Sequence, residues 1–160
     1  MRVLITGAKG QLGQELVVTL GSDHDVFGMG REEMDITDIH LTRSIIHDIK
    51  PDVIIHAAAY TAVDLAEEEE DRAYQVNAYG TRNVAVAGEE VGAKFCYIST
   101  DYVFDGRGDS PYREYDNTNP LSVYGKSKRA GELLTQSVTS RFFIVRTSWL
   151  YGLHGNNFVK

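Results

Sequence analysis

Short apolar runs alternate with longer segments of helical character along this chain. The runs predict five strands, at RVLIT (2–6), DVFGM (25–29), DVIIHAA (52–58), KFCYIS (94–99) and FFIVRT (142–147). Several of them are apolar at consecutive positions, which is typical of strands covered on both faces. Helices are predicted between the strands, near 11–20, 38–49, 67–91 and 122–138. This alternation indicates βαβ units and an α/β fold with a Rossmann-type, doubly wound parallel sheet.

The bulk composition narrows the class of protein. The chain has 160 residues, of which 42% are hydrophobic, and it is expected to form one domain. Its formal charge of −7 argues against partners such as nucleic acid or an anionic membrane surface. The single cysteine excludes an internal disulfide framework, and no apolar run is long enough for a membrane helix. The start MRVLITG is unlike a signal peptide, so we expect a soluble cytoplasmic protein.

A glycine-rich turn directly follows the first predicted strand. It reads GAKGQLG, and its glycines Gly7, Gly10 and Gly13 have GxxGxxG spacing around Gln11 and Leu12. A strand, a glycine-rich turn and a helix start together present backbone N–H groups to a pyrophosphate. The motif therefore predicts dinucleotide binding in the first βαβ unit.

The end of the second predicted strand bears on the choice of cofactor. A carboxylate at this tip usually holds the ribose of NAD, whereas an arginine accommodates the 2′-phosphate of NADP. Here the strand ends in FGMGR, with no carboxylate at the tip and with Arg31 following it. This favours NADP(H) over NAD(H), although use of both cofactors, or a purely surface role of Arg31, stays open at this point.

The stretch VYGKSK places Tyr124 and Lys128 four residues apart. On a helix both side chains project from one face, and a cation beside a phenol lowers the pKa of that phenol. Such a pair suits proton transfer, but the spacing also arises by chance on a solvated helix. Thr100 follows the fourth strand at the carboxyl edge, where open α/β sheets bind ligands, which favours a functional pair.

Seven stretches carry a family resemblance: GAKGQLG (7–13), MDITD (34–38), HAAAYTAVDLAE (56–67), STDYVFDG (99–106), VYGKSKRAGE (123–132), RTSWLYG (146–152) and GNNF (155–158). Through them the chain resembles the extended short-chain dehydrogenase/reductases, and within these the dTDP-4-dehydrorhamnose reductases. The pair of Tyr124 and Lys128 specifies only the superfamily, whereas AAAYTAVD together with STDYVFDG is more specific. The resemblance implies NAD(P)H-dependent reduction of the 4-keto group of dTDP-4-dehydro-L-rhamnose.

The resemblance also implies a catalytic group of Thr100, Tyr124 and Lys128. In this interpretation Thr100 positions the carbonyl oxygen, Tyr124 donates a proton to it, and Lys128 binds the nicotinamide ribose and lowers the pKa of the tyrosine. Other positions are implied to line the cofactor, namely Asp35 and Ile36 at the adenine and Ala58, Ala59, Tyr60 and Thr61 after the third strand. Asp101 and Trp149 are implied to contact a sugar-nucleotide substrate, with ordinary core packing as the alternative for Trp149. Asn77 is expected to be structural.

Several expectations concern the whole protein. Residues 1–160 are expected to form the NAD(P)-binding domain, with the C-terminal substrate domain largely missing, so that activity of this chain alone is doubtful. The resemblance implies that a homodimer can form and that magnesium can lie at a subunit interface, but the scattered histidines predict no metal site in this chain. Two alternatives stay open. One is a non-catalytic NADP-binding subunit similar to the regulatory subunit of methionine adenosyltransferase, and the other is a reductase or epimerase of another nucleotide sugar.

Overall fold

The computed structural model describes residues 1–155 and 157–159, so that Asn156 of the GNNF stretch and Lys160 lie outside the described residues. Five parallel strands form one sheet in the order β2-β1-β3-β4-β5. They are β1 (Arg2–Thr6), β2 (Asp25–Met29), β3 (Val53–His56), β4 (Lys94–Thr100) and β5 (Phe142–Thr147). The predicted α/β fold with a doubly wound parallel sheet is confirmed.

The connections between the strands are mostly helical. The helices are α1 (Gln11–Leu20), α2 (Ile39–Ile49), α3 (Val63–Ala66), α4 (Glu70–Tyr74), α5 (Thr81–Val91) and α6 (Val123–Val138). A π-helical segment, Gln75–Gly80, joins α4 to α5, and a short 3₁₀ turn, Asp101–Val103, follows β4. Among the described residues, no helix is both long and apolar enough to cross a bilayer.

The prediction of one continuous helix over 67–91 is wrong. Residues 67–69 separate α3 from α4, because two of their acidic side chains accept hydrogen bonds from other segments of the chain. Glu67 accepts the backbone N–H of Val123 at 2.8 Å, and Glu69 accepts the hydroxyl of Tyr60 at 2.8 Å. The predicted strand 52–58 is also shorter, ending at His56, because the chain beyond it turns against the loop that follows β1.

The strand order places a ligand crevice between β1 and β3. The chain leaves β1 toward β2 on one side of the sheet and reaches β3 on the other side. Where the strand order reverses in this way, the loops at the carboxyl ends of the two strands diverge and leave a crevice that binds ligands. The main core lies under this edge, with Leu4, Ile54, Phe95 and Val84 buried within it. The core therefore fixes the strand ends from which the loops emerge.

A buried polar relay crosses the sheet at His56, which is fully buried. The hydroxyl of Thr81 donates to the carbonyl of Asn77 at 2.8 Å, so its 3.1 Å contact with His56 requires a proton on Nε2 of the imidazole. Nδ1 is then the acceptor for the hydroxyl of Thr6 at 2.6 Å, and the Thr6 oxygen accepts the N–H of Ala58 at 3.3 Å. Each contact has one donor and one acceptor, so the relay fixes a neutral tautomer and holds the end of β3.

We expect His56 to stay neutral throughout the range in which histidines normally titrate. Burial, followed by the nearby charge of Lys128, lowers the pKa of His56 to about 3. Because this lies below the value of about 6.5 in an unfolded chain, His56 stabilises the fold fully above that pH and less as the pH falls toward 3. NMR of the ring nitrogens should show protonated Nε2 and no titration between pH 8 and pH 5, the signal being assigned with a His56→Asn variant. A midpoint near 6.5, or a proton on Nδ1, would contradict the relay.

Candidate active site

One cleft of about 710 Å³ runs along the carboxyl ends of the strands. It brings together every residue that the sequence analysis assigned to catalysis, cofactor or substrate. These residues are Gly7, Gly10, Gln11, Leu12, Gly13, Arg31, Asp35, Ile36, Ala58, Ala59, Tyr60, Thr61, Thr100, Asp101, Tyr124, Lys128 and Trp149. Their roles in binding and catalysis stay predictions, but their common location is a property of the fold.

The glycine loop lies at the floor of the cleft, with no space for a side chain at Gly7 or Gly13. Gly7 has a left-handed φ of 69°, and a Cβ there would lie 2.6 Å from the backbone nitrogen of Ala58. A Cβ on Gly13 would lie 2.2 Å from the carbonyl oxygen of Gly7. The first turn of α1, which begins at Gln11, has backbone N–H groups without partners inside the helix. This end of the cleft therefore offers a close backbone surface and a positive helix end to a pyrophosphate.

The tip of β2 carries both cations and a carboxylate. The sequence indicated no carboxylate at this tip, but Glu33 folds back, and its Oε2 accepts the N–H of Gly30 at 3.0 Å. Lys9 of the glycine loop pairs with Glu33 at 2.6 Å and with Glu32 at 3.1 Å. The hydrogen bond from Lys9 lowers the pKa of Glu33. Lys9 and Arg31 both line the cleft here, so two cations lie at the tip of β2, where the sequence predicted the adenosine ribose.

The segment after this tip is held by its own carboxylate. Asp35 accepts the backbone N–H of Thr37 at 3.0 Å and its hydroxyl at 2.7 Å, and these bonds lower the pKa of Asp35. Arg31 lies 3.7 Å from the same carboxylate. Ile36 is nearly buried, and a Cβ on Gly80 would lie 2.8 Å from its side chain. The turn therefore presents a fixed wall at the expected adenine position.

Asn77 supports the loop that follows β3. Its Oδ1 accepts the N–H of Tyr60 at 2.8 Å, and its Nδ2 donates to the carbonyl of Tyr60 at 3.0 Å and to the hydroxyl of Ser127 at 3.0 Å. The side chain is fully buried in the π-helical segment. This single amide therefore joins the cofactor-lining loop to α6, in agreement with the structural role expected for Asn77.

Thr100 and Tyr124 meet at the middle of the cleft. Thr100 ends β4, and Tyr124 lies in the first turn of α6, whose N-terminus is capped by the hydroxyl of Ser122 accepting the N–H of Gly125 at 3.1 Å. Burial raises the pKa of Tyr124, and the nearby hydroxyl of Thr100 opposes this rise more weakly. The net pKa of the phenol lies above its ordinary value, which keeps the proton on the oxygen at neutral pH.

Lys128 lies one helical turn after Tyr124 and is nearly fully buried. Its ammonium donates to the carbonyl of Ile98 at 2.7 Å and lies 4.3 Å from the ring centre of Tyr97. Burial raises the pKa of the half-buried Tyr124 phenol, and a lowering of that pKa by Lys128 stays a prediction. Burial lowers the pKa of Lys128 itself to about 7, and Glu132 opposes this change.

Asp101 and Trp149 lie at the open side of the cleft. The carboxylate of Asp101 accepts the hydroxyl of Thr100 at 3.0 Å, next to the phenol of Tyr124. Trp149 is 75% exposed and has a left-handed φ of 53°, so the alternative of core packing is wrong. Its ring contacts Phe158 edge to face, with ring centres 5.4 Å apart. Both side chains are available to a ligand in the cleft.

Several residues near the site were not singled out from the sequence. Lys9 lies within the stretch GAKGQLG, but no pattern in the sequence distinguishes a cofactor-binding lysine in such a loop from an ordinary surface lysine. Ser99, Glu132 and Arg146 form a buried charged cluster behind Thr100. Glu132 is four residues after Lys128, which is a signal of a shared helix face. No group of three or more metal-ligating side chains lies together within residues 1–155 and 157–159.

The chain is similar to known proteins over its whole length. A family model described as the RmlD substrate binding domain matches residues 1–160. A dTDP-4-dehydrorhamnose reductase of Aggregatibacter actinomycetemcomitans is 47% identical over 99% of this chain and 55% of that protein. The crystal structure of a dTDP-4-dehydrorhamnose reductase from Bacillus anthracis in complex with NADP is 52% identical, with a TM-score of 0.97 over 99% of this chain and 57% of that one.

A more distant solved structure shares the fold. WbmG of Bordetella bronchiseptica in complex with NAD is 25% identical, with a TM-score of 0.80 over 91% of this chain and 52% of that one. This chain spans about half the length of the curated relatives it matches. The match to the family model and the identities of its relatives confirm the resemblance read from the motifs, and the chain belongs to the RmlD substrate binding domain family, alongside dTDP-4-dehydrorhamnose reductases.

Proposed function

We propose that this chain is the cofactor-binding part of an NAD(P)H-dependent dTDP-4-dehydrorhamnose reductase. The observation that carries the proposal is the meeting of Thr100, Tyr124 and Lys128 in one cleft with the glycine loop. The relatives named dTDP-4-dehydrorhamnose reductase support the same reaction. Gly7 and Gly13 allow the loop to pack closely against neighbouring backbone, so that the start of α1 faces the cleft, as binding of a pyrophosphate requires.

The residues divide the chemistry between them. A bound NAD(P)H supplies the hydride. Tyr124 donates its proton to the oxygen of the 4-keto group and so acts as the general acid. Thr100 hydrogen-bonds the same oxygen and orients it, while Lys128 binds the nicotinamide ribose. Proton transfer to the carbonyl oxygen and hydride transfer to its carbon together convert the ketone to an alcohol.

The division into domains is part of the same proposal. We assign residues 1–160 to NAD(P) binding, with Asp101 and Trp149 reaching toward the nucleotide sugar from the open side of the cleft. Most contacts to the sugar are proposed to come from outside residues 1–160, since this chain matches 55% of the length of the relative from Aggregatibacter actinomycetemcomitans. A cytoplasmic location and a homodimer stay predictions, and no magnesium site is proposed.

Replacing Tyr124 by Phe should remove most turnover without removing the cofactor. In a chain extended to the length of the relatives, we expect kcat for dTDP-4-dehydrorhamnose to fall by on the order of 10²- to 10⁴-fold, as for loss of a general acid. Affinity for NADP⁺ should change less than about twofold, because the phenol contributes no charge. The assay follows NADPH oxidation, with binding measured separately by calorimetry.

A matched control is Tyr115→Phe, since Tyr115 is 76% exposed and lies outside the cleft. This variant should keep full activity. A fully active Tyr124→Phe enzyme would refute the proposed proton donor. If the extended wild-type chain binds NADP⁺ but reduces no nucleotide sugar, the non-catalytic binding module is the better interpretation.

We further propose that the site prefers NADP(H), through Lys9 and Arg31. Both cations line the cleft beside the tip of β2, where a 2′-phosphate would lie. Glu32 and Glu33 pair with Lys9, so the phosphate competes with two carboxylates for one ammonium. This competition reduces the advantage of NADP(H) and leaves NAD(H) as an acceptable cofactor.

Lys9→Gln should weaken NADP⁺ binding by on the order of tenfold, the effect of one charge-assisted hydrogen bond. Binding of NAD⁺, which has no 2′-phosphate, should change less than about twofold. Calorimetric titration of the chain with each cofactor measures both values. Lys126→Gln, an exposed lysine outside the cleft, is the control and should affect neither. Equal losses for the two cofactors would exclude a role of Lys9 in recognising the phosphate.

A further inference from the structure

A buried charged cluster lies directly behind the proposed catalytic group. Glu132 is fully buried, and its carboxylate accepts the hydroxyl of Ser99 at 2.6 Å. Arg146 donates to both of its oxygens, at 2.9 and 2.8 Å, and Arg129 donates at 2.8 Å. A fully buried carboxylate is costly unless such partners satisfy it. Glu132 is thus held in one position by α6, β4 and β5.

The cluster is continuous with each segment that lines the catalytic end of the cleft. Ser99 immediately precedes Thr100 on β4. Arg146 precedes Thr147 at the end of β5, and its guanidinium lies 5.0 Å from the ring centre of Phe104 in the loop after β4. Lys128 lies one helical turn before Glu132 on the buried side of α6. A shift of the Glu132 carboxylate would therefore move Thr100 and Lys128 together.

The carboxylate of Glu132 is the negative charge that offsets the positive side chains around it. Arg129, Arg146 and Lys128 are three cations near one carboxylate, and Lys128 is nearly fully buried. If Glu132 were neutral, the buried ammonium of Lys128 would lose the carboxylate that favours its charged form, while the two guanidinium groups would remain nearby on Glu132. Like charges in a medium of low dielectric constant disfavour the charged form of a lysine.

We propose that Glu132 is a positioning residue of the active site, which fixes the end of β4 against α6 and keeps Lys128 charged beneath the cofactor ribose. This inference rests on the proposed function, because it gives Lys128 a role only if a cofactor binds. Glu132 itself contacts neither cofactor nor substrate, so it acts through Ser99 and Lys128.

The other groups that face Lys128 give the sign of the effect. From β3 the neutral imidazole of His56 faces it, and from β4 the ring of Tyr97 and the carbonyl of Ile98 do so. On α6 its neighbours are the protonated phenol of Tyr124 and the carboxylate of Glu132. Among these groups Glu132 alone carries a full negative charge, so its removal lowers the pKa of Lys128.

The test is an NMR titration of Lys128 in the 160-residue chain, using labelled lysine side chains. The wild-type midpoint should lie near the pKa of about 7. Glu132→Gln keeps the shape but removes the charge, and should lower the midpoint by roughly one pH unit or more. Arg129→Gln removes one of the cations that neutralise the Glu132 carboxylate, at a side chain that is 25% exposed, and should raise the midpoint. Ser99→Ala removes a hydrogen bond without changing charge and should leave the midpoint unchanged.

Shifts of opposite sign in the two charge variants cannot arise from a merely structural role. The proposal fails if Glu132→Gln and Ser99→Ala move the midpoint equally, or if neither charge variant moves it. If Glu132→Gln does not fold, the comparison of Arg129→Gln with Ser99→Ala decides in the same way. Binding of NADP⁺ to the wild-type chain is measured in parallel. Absence of binding would overturn the proposed function, while the titration would still decide whether Glu132 controls the charge of Lys128.

Discussion

The approach of two backbone loops at the reversal point of the sheet is the constraint on which the site depends. The loop after β1 lies so close to the loop after β3 that a Cβ on Gly7 would lie 2.6 Å from the nitrogen of Ala58. The close approach leaves the start of α1 facing the cleft, and the relay through His56 and Thr6 ties the same two strand ends together beneath it. The end of the cleft at the glycine loop, where the pyrophosphate is proposed to bind, is thus formed by backbone groups rather than by side chains.

The other end of the cleft depends on buried polar side chains. Asn77 joins the loop after β3 to α6, and Lys128 joins α6 to the carbonyl of Ile98 on β4. Glu132 then joins α6 to β5 through Arg146. Such networks are costly if incompletely paired, but they specify one arrangement when every member has a partner. This rigid support keeps the phenol of Tyr124 beside the hydroxyl of Thr100.

Much of this organisation could be predicted from the sequence, for local reasons. Consecutive apolar residues gave the five strands, and the spacing of Gly7, Gly10 and Gly13 gave the loop at the first strand end. What could not be predicted depends on contacts between distant segments. Glu67 lies outside any helix and caps the N-terminus of α6, and the carboxylate of Glu33 accepts a hydrogen bond at the tip of β2. Tertiary packing determines both partners, so the local sequence does not reveal them. The raised pKa of Tyr124 likewise follows from burial, which the spacing to Lys128 does not reveal.

The central claim is that this chain binds the dinucleotide with its nicotinamide end beside the catalytic group. Intermolecular NOEs between NADP⁺ and the labelled chain test it most directly. The account predicts contacts from the nicotinamide protons to the side chains of Tyr124 and Lys128, together with amide shifts at Gly7 and Gly13. Contacts of the nicotinamide with the tip of β2 instead, or NADP⁺ binding without any change at the glycine loop, would contradict it.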